Sequence, residues 1–208
     1  MSLEGVMSDI LTYAFRKVTG VTPVEGRLRD LGIPYEKKPG GRLVVPGDID
    51  FSGIRYIGLP DLTGVEVRGN YNCADNFLSS LQGAPLSVGG DFICSGNMLR
   101  NLAHAPRSVG GSFKCDRNIL VSLEGAPERV GTFDCRGSGL TSLQFAPVSF
   151  ETLWSDFGEF SSRNPVPPRL RAASPAQYDA ETAHAVDTAT VLQRPLKLGT
   201  ALRLKPNG

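Results

Sequence analysis

One phrase of about twenty residues is written out four times between Gly69 and Pro147, and nothing else in the chain constrains its fold as tightly. Gly69-Asn70-Tyr71-Asn72-Cys73 returns as Gly90-Asp91-Phe92-Ile93-Cys94, as Gly111-Ser112-Phe113-Lys114-Cys115 and as Gly131-Thr132-Phe133-Asp134-Cys135, at spacings of 21, 21 and 20 residues. Each cysteine is followed by the same tail. Asn76, Asn97 and Asn118 stand three positions on, and Leu78, Leu99, Leu120 and Leu140 five positions on. Leu81, Leu102, Leu123 and Leu143 come next, and the Ala-Pro pairs ending at Pro85, Pro106, Pro127 and Pro147 close each unit. A fixed period near twenty residues marks a stack of like units, none of which can bury its apolar face alone. The expected class is a repeat solenoid.

Within a unit the aromatic and the cysteine alternate with polar residues, as in Phe113-Lys114-Cys115, which is the period-two pattern of a short strand buried on one face. Units of one shape and direction pair such strands in parallel. The asparagine falls where the chain bends, and its amide can hold backbone groups that the bend removes from the strand ladder. Its recurrence predicts an asparagine ladder, broken at Ser138-Gly139. The two leucines return to the core. Proline then ends the segment, because it fixes its own backbone and restricts the residue before it. Two weaker units flank the clear ones: Gly47-Asp48-Ile49-Asp50-Phe51, and Glu151-Thr152-Leu153-Trp154-Ser155 with Leu153 in the aromatic slot. The count becomes six strands and about six turns, a ladder roughly 25 Å long.

With Phe92, Cys94, Asn97 and Leu99 read as the phrase L-x-L-x-x-N-x-L, and Leu102 and Pro106 behind it, the unit resembles a leucine-rich repeat of the short bacterial type. It is most similar to the proline-containing repeats of bacterial effector proteins and to related repeats in bacteriophage genomes. The resemblance covers about half the chain. It implies a leucine-rich-repeat-like parallel sheet that presents its outward strand face to a protein partner. Effectors with similar repeats can carry a ligase domain behind them; the residues that follow here hold no cysteine, so that activity is not carried over.

Twenty-two basic and 21 acidic residues nearly cancel, which removes any global attraction to nucleic acid or to an anionic membrane. No run is long and apolar enough to span a bilayer, and Met1 to Asp9 lack the pattern of a signal peptide. The expected location is cytoplasmic or within a phage particle. The four cysteines, Cys73, Cys94, Cys115 and Cys135, occupy one inward slot per unit. A file spaced about 4.8 Å apart cannot converge on a zinc ion at about 2.3 Å. Parallel side chains also hold neighbouring β-carbons wider than the roughly 3.8 Å a disulfide prefers. They read as buried free thiols, with no metal and no cofactor expected. His104 and His184 stand apart from each other, and Gly89-Gly90 and Gly110-Gly111 open strands rather than helices, so they are repeat corners and not phosphate loops. No catalytic residue is expected.

The chain divides into a helical N-terminal cap over 1–45, the solenoid over 46–160, and a Pro-rich linker, helix and basic tail over 161–208. Val6, Met7, Ile10, Leu11, Ala14, Phe15 and Val18 fall at helical spacing, predicting an amphipathic helix over 4–19 closed by Gly20. It serves either as the cap of an open core layer or as an association helix. A shorter helix is expected around Val24 to Leu31, closed by Gly32. A turn at Lys37-Lys38-Pro39-Gly40-Gly41 then leads into a strand, Leu43-Val44-Val45. Asn164-Pro165-Val166-Pro167-Pro168 reads as a stiff linker, and Ser174-Pro175-Ala176-Gln177 as the start of a helix reaching Gln193. The tail Arg194 to Gly208 carries Arg194, Lys197, Arg203 and Lys205 and no acidic residue. It is either solvated or a docking strand; nucleic-acid contact is disfavoured, since no aromatic residue interleaves its charges.

What remains for function is surface. The central outward position of the six strands holds Asp50, Asn72, Ile93, Lys114, Asp134 and Trp154, with Asp91, Asp116, Arg117 and Arg136 in flanking rows. This mixed-charge strip suits a protein partner better than a sugar or a nucleic acid. Trp154 serves either as a binding anchor or as a lid on the core beneath Phe157 and Phe160. Two functions follow: a non-catalytic protein-binding module, or a structural component of a larger assembly such as a phage virion, with the termini as docking arms.

Overall fold

The computed structural model describes residues 23–172. The helices expected over 4–19 and 175–193 and the tail from Arg194 lie outside the described residues. The described chain opens with helix α1, Pro23–Asp30, whose Leu28 is fully buried in the core. The helix ends as its sequence requires. Gly32 turns left-handed at φ 66°, and the N–H groups of Gly32 and Ile33 donate back to the carbonyls of Arg29 and Leu28. This pair of bonds is the Schellman closure that glycine makes accessible. An antiparallel hairpin follows, β1 (Glu36–Lys37) and β2 (Leu43–Val45), turned through a single 3-10 turn at Pro39–Gly41. Lys37 Nζ reaches both oxygens of the buried Glu25 carboxylate at 3.1 and 3.2 Å, tying the hairpin to α1.

From Ile49 onward the chain winds as a parallel β-solenoid of about five turns. Strand β3 (Ile49–Asp50) begins it, and three turns then each contribute two short strands. These pairs are β4 (Glu66–Val67) with β5 (Tyr71–Asn72), β6 (Ser87–Val88) with β7 (Phe92–Ile93), and β8 (Ser108–Val109) with β9 (Phe113–Lys114). β10 (Thr132–Asp134) and β11 (Thr152–Ser155) finish the winding, and β12 (Gly158–Ser161) folds back antiparallel on β11. The expected six parallel strands are present, but six strands close only five circuits, so the turn count is five rather than six.

Two sheets result, not one. The larger runs β3-β5-β7-β9-β10-β11-β12; the smaller runs β1-β2-β4-β6-β8. A parallel bridge between Arg129 and Ser149 carries the smaller pairing further. β2 is the strand expected at Leu43-Val44-Val45, whereas β4, β6 and β8 lie just before the glycine corners, where no strand is expected from the sequence. Val67, Val88 and Val109 of these strands, and Val130 beside the Arg129–Ser149 bridge, are buried and join the core.

The core is a set of files along the solenoid axis. Tyr71, Phe92, Phe113 and Phe133 stack with centroids 5.1 to 5.5 Å apart, in the offset range aromatic pairs favour. Each fully buried ring contributes roughly 2 kcal/mol or more by leaving water. The buried cysteines form the next file, and both leucine rows point inward as expected. Val166 is also buried, and the N–H of Leu143 donates to the carbonyl of Leu170, just inside the short helix α2 (Pro168–Arg171). The stretch read as a stiff extended linker therefore packs on the solenoid: an apolar side chain between prolines gains more from burial than from extension. Among the described residues no helix is long and apolar enough to cross a membrane.

Candidate functional site

Strand pairing fixes the outward row. Asp50 opposes Asn72, Asn72 opposes Ile93, Ile93 opposes Lys114, Lys114 opposes Asp134, and Asp134 opposes Trp154. The six positions named from the sequence thus lie in unbroken register on the larger sheet. Two ladders of side-chain hydrogen bonds hold that register from either side. On the C-terminal side Asn76, Asn97 and Asn118 are buried. Each amide group donates to three main-chain carbonyls, those for Asn97 being Cys73, Cys94 and Ser95 at 3.0, 3.1 and 3.3 Å. Each amide oxygen accepts an N–H of the preceding turn, Leu78 for Asn97 and Leu99 for Asn118, both at 3.0 Å. Both the donor and the acceptor end of each buried amide are thus partnered, as its cost of burial requires. The expected asparagine ladder is real.

The second ladder was not foreseen. Asp48 accepts the N–H of Asn70 at 2.6 Å, Asn70 that of Asp91 at 2.8 Å, and Asp91 that of Ser112 at 2.7 Å. Each of these side chains passes over the glycine that opens the next strand. A Cβ on Gly90 would sit 2.3 Å from Asn70 Oδ1, well inside contact distance, so the corner has to be glycine. The signal was present in Gly-Asp, Gly-Asn and Gly-Ser, but its partner was one turn away.

At the C-terminal end of the row three residues form a rigid cluster. Arg136 grips Asp134 in a two-point contact, Nε to Oδ1 at 2.9 Å and Nη2 to Oδ2 at 2.6 Å, and its guanidinium lies 5.0 Å from the centre of the Trp154 ring. The carboxylate holds the Arg136 guanidinium even more firmly protonated than usual. Trp154 is half-buried and faces Glu159 across the closing hairpin, while Leu153 and Phe160 point into the core. Phe160, not Trp154, covers the end of the core. The tryptophan stays on the outward face because the alternation that buries Leu153 must turn its neighbour out.

Near the middle, Lys114 Nζ lies 3.6 Å from Asp91 Oδ2, and Arg117 pairs with Asp116 at 3.0 Å and with Asp75 at 3.9 Å. Asp116 also accepts from Ser95 Oγ. At the N-terminal end Asp50 accepts the main-chain N–H of Ser52, and the Ser52 hydroxyl together with that N–H keeps its carboxyl below the usual carboxylate range. The strip is less evenly mixed than its central row suggested. Asp48, Asp156 and Glu159 join it from neighbouring positions and the hairpin, and the face becomes acidic.

The thiols have no part in this surface. Cys73, Cys94, Cys115 and Cys135 are buried, and burial pushes all four up, Cys73 and Cys135 to about 12. A thiol held neutral in an apolar file is a poor nucleophile. Among the described residues no three His, Cys, Asp or Glu side chains are grouped to hold a metal ion. His104 is exposed on a corner with φ 68°, in the slot that Gly83 and Gly125 occupy in neighbouring turns, away from the outward row. His184 lies outside the described residues. Compared with protein-family models, with curated proteins and with solved structures, the chain matches none.

Proposed function

We propose that this chain is a non-catalytic protein-binding module, a leucine-rich-repeat solenoid of the short bacterial-effector and bacteriophage type, working in a cytoplasm or within a phage particle. The N-terminal segment serves as its helical cap. The partner is a protein, and the surface that meets it is the outward face carrying Asp50, Asn72, Ile93, Lys114, Asp134 and Trp154, with Arg136 beside them. The observation that carries this reading is the fixed register of that row, ending in a tryptophan clamped by an arginine. A pre-ordered face loses little side-chain freedom on binding. Tryptophan and arginine are also the residues most often found to dominate interface energies.

The test is affinity capture from a native lysate read by mass spectrometry, with the intact chain, an Ile93→Arg plus Trp154→Ala variant, and a chain ending at Gln193 as baits. Loss of one specific partner with the face variant alone is the expected result. Loss with the shortened chain alone would instead make this a structural component docked through its terminus.

A further inference from the structure

We propose that the outward face, with the apolar ridge beside it, docks a basic amphipathic helix of a protein partner, lysines or arginines along one flank and aliphatic residues along the other. The inference rests on the reading of that face as the recognition surface and adds the chemistry of what it recognises. Asp48 and Asp91, two positions before the central row, and Asp116, Arg136 and Asp156, two after it, are at least partly exposed beside it, whereas Ala74 and Ser95 at the same offset are buried. With Glu159 of the hairpin, the face and its flanking rows hold seven carboxylates, Asp134 among them buried, and three cations, Lys114, Arg117 and Arg136. Four negative charges are in excess, in a chain whose formal total is +1. All three cations are already held by carboxylates of the same face, Asp91, Asp116 and Asp134. An approaching cation therefore meets acceptors first, and potentials of opposite sign steer encounter and fix orientation.

The ridge is an independent observation. Phe77, Met98 and Ile119 occupy one position in three successive turns, directly after the ladder asparagines, and remain 48%, 44% and 51% exposed. Their N–H groups are bonded to the carbonyls of Tyr56, Leu78 and Leu99, so the row is a fixed feature of the winding. An ordered row of large apolar side chains left in water marks an interaction site rather than scatter. Between ridge and face stands Arg117, itself held by Asp116 and Asp75. The rungs repeat at about 4.8 Å and a helix rises about 5.4 Å per turn. A helix laid along the solenoid axis thus sets one apolar residue per turn against each of the three rungs, with a mismatch of only about 1 Å across them. Its adjacent flank then overlies the carboxylates.

The experiment is fluorescence anisotropy with a labelled helical peptide of leucines on one stripe and lysines beside it. A peptide with glutamates for lysines, and one of the same composition scrambled to destroy the stripe, serve as comparisons. The lysine peptide should bind and weaken with salt, and the other two should not bind. Asp50→Asn and Glu159→Gln should each loosen it about threefold, while Lys114→Gln should tighten it by a similar factor. Ile119→Ser should loosen it about tenfold. Opposite signs from exposed substitutions separate charge complementarity from damaged folding. Equal binding of the glutamate or scrambled peptide, or no tightening by Lys114→Gln, overturns the inference. If the lysate partner is still lost from the Ile93→Arg plus Trp154→Ala bait, the module reading then survives without it.

Discussion

A single buried amide such as that of Asn97 joins two adjacent turns through four hydrogen bonds, and its row stops at Ser138. There the shorter side chain leaves its hydroxyl buried without a partner. Ser138→Asn should extend the ladder, with carbonyls of Cys115 and Cys135 as acceptors. We expect about 1 kcal/mol of added stability and a rise in Tm of roughly 2–4 °C; a lower melting temperature would show that the last bend cannot accept the amide. The thiols give a pH signature with a definite sign. Below about pH 9, the ordinary value, they are neutral whether the chain is folded or not. Above it the unfolded chain ionises while buried Cys73 and Cys135, pushed to about 12, do not. Their contribution is thus complete below pH 9 and is lost as pH rises from 9 towards 12, at about 1.4 kcal/mol per pH unit for each thiol. Urea midpoints at rising pH should fall along that slope, and Cys135→Ala should make it shallower. An unchanged slope would mean that the thiol is not the titrating group. Asn97 and the cysteines were legible because each recurs. The lone hydroxyl of Tyr71, buried unpaired between phenylalanine rings, recurs nowhere and was not.

The elements of the solenoid are two to four residues long, too short to be stable singly, and the corners between them do the aligning. A Cβ on Gly110 would lie 2.2 Å from the carbonyl oxygen of Gly89 in the adjacent turn, and a main-chain atom in a packed ladder cannot step aside. Gly110→Ala should cost about 3 kcal/mol or more in urea denaturation, by forcing two rungs apart. Gly26 is the contrast. It lies within α1 with nothing inside 4 Å of a built Cβ, and Gly26→Ala should add about 0.5–1 kcal/mol in the same assay. If the two substitutions behave alike, close approach is not what the corner glycines provide. The strands of the larger sheet were readable from alternation. Ser87–Val88 and Ser108–Val109 were not, because each offers a single buried valine before a glycine pair, with no second inward residue to set an alternation.

At the scale of the whole solenoid each turn rests only on its neighbours, so an exposed end is where unfolding begins. Phe160 closes one end from the antiparallel strand. Phe160→Asp should speed hydrogen exchange of amides in β10 and β11 by about 100-fold or more and leave β5 and β7 nearly unchanged. Uniform acceleration would mean that the stack unfolds as one unit. The sequence by itself determined the period, the inward files and the outward row, because a translational repeat turns spacing along the chain directly into spacing in space. Tertiary structure alone decided that a second sheet joins the core and that Val166 folds back onto it. It also decided that Phe160 rather than Trp154 seals the end, and that Asp48, Asp156 and Glu159 make the face acidic. The second sheet shares the repeat's period but shows one buried valine per turn and no alternation. The other outcomes depend on side chains that meet once, at the ends of the stack and across the closing hairpin, and have no period to read.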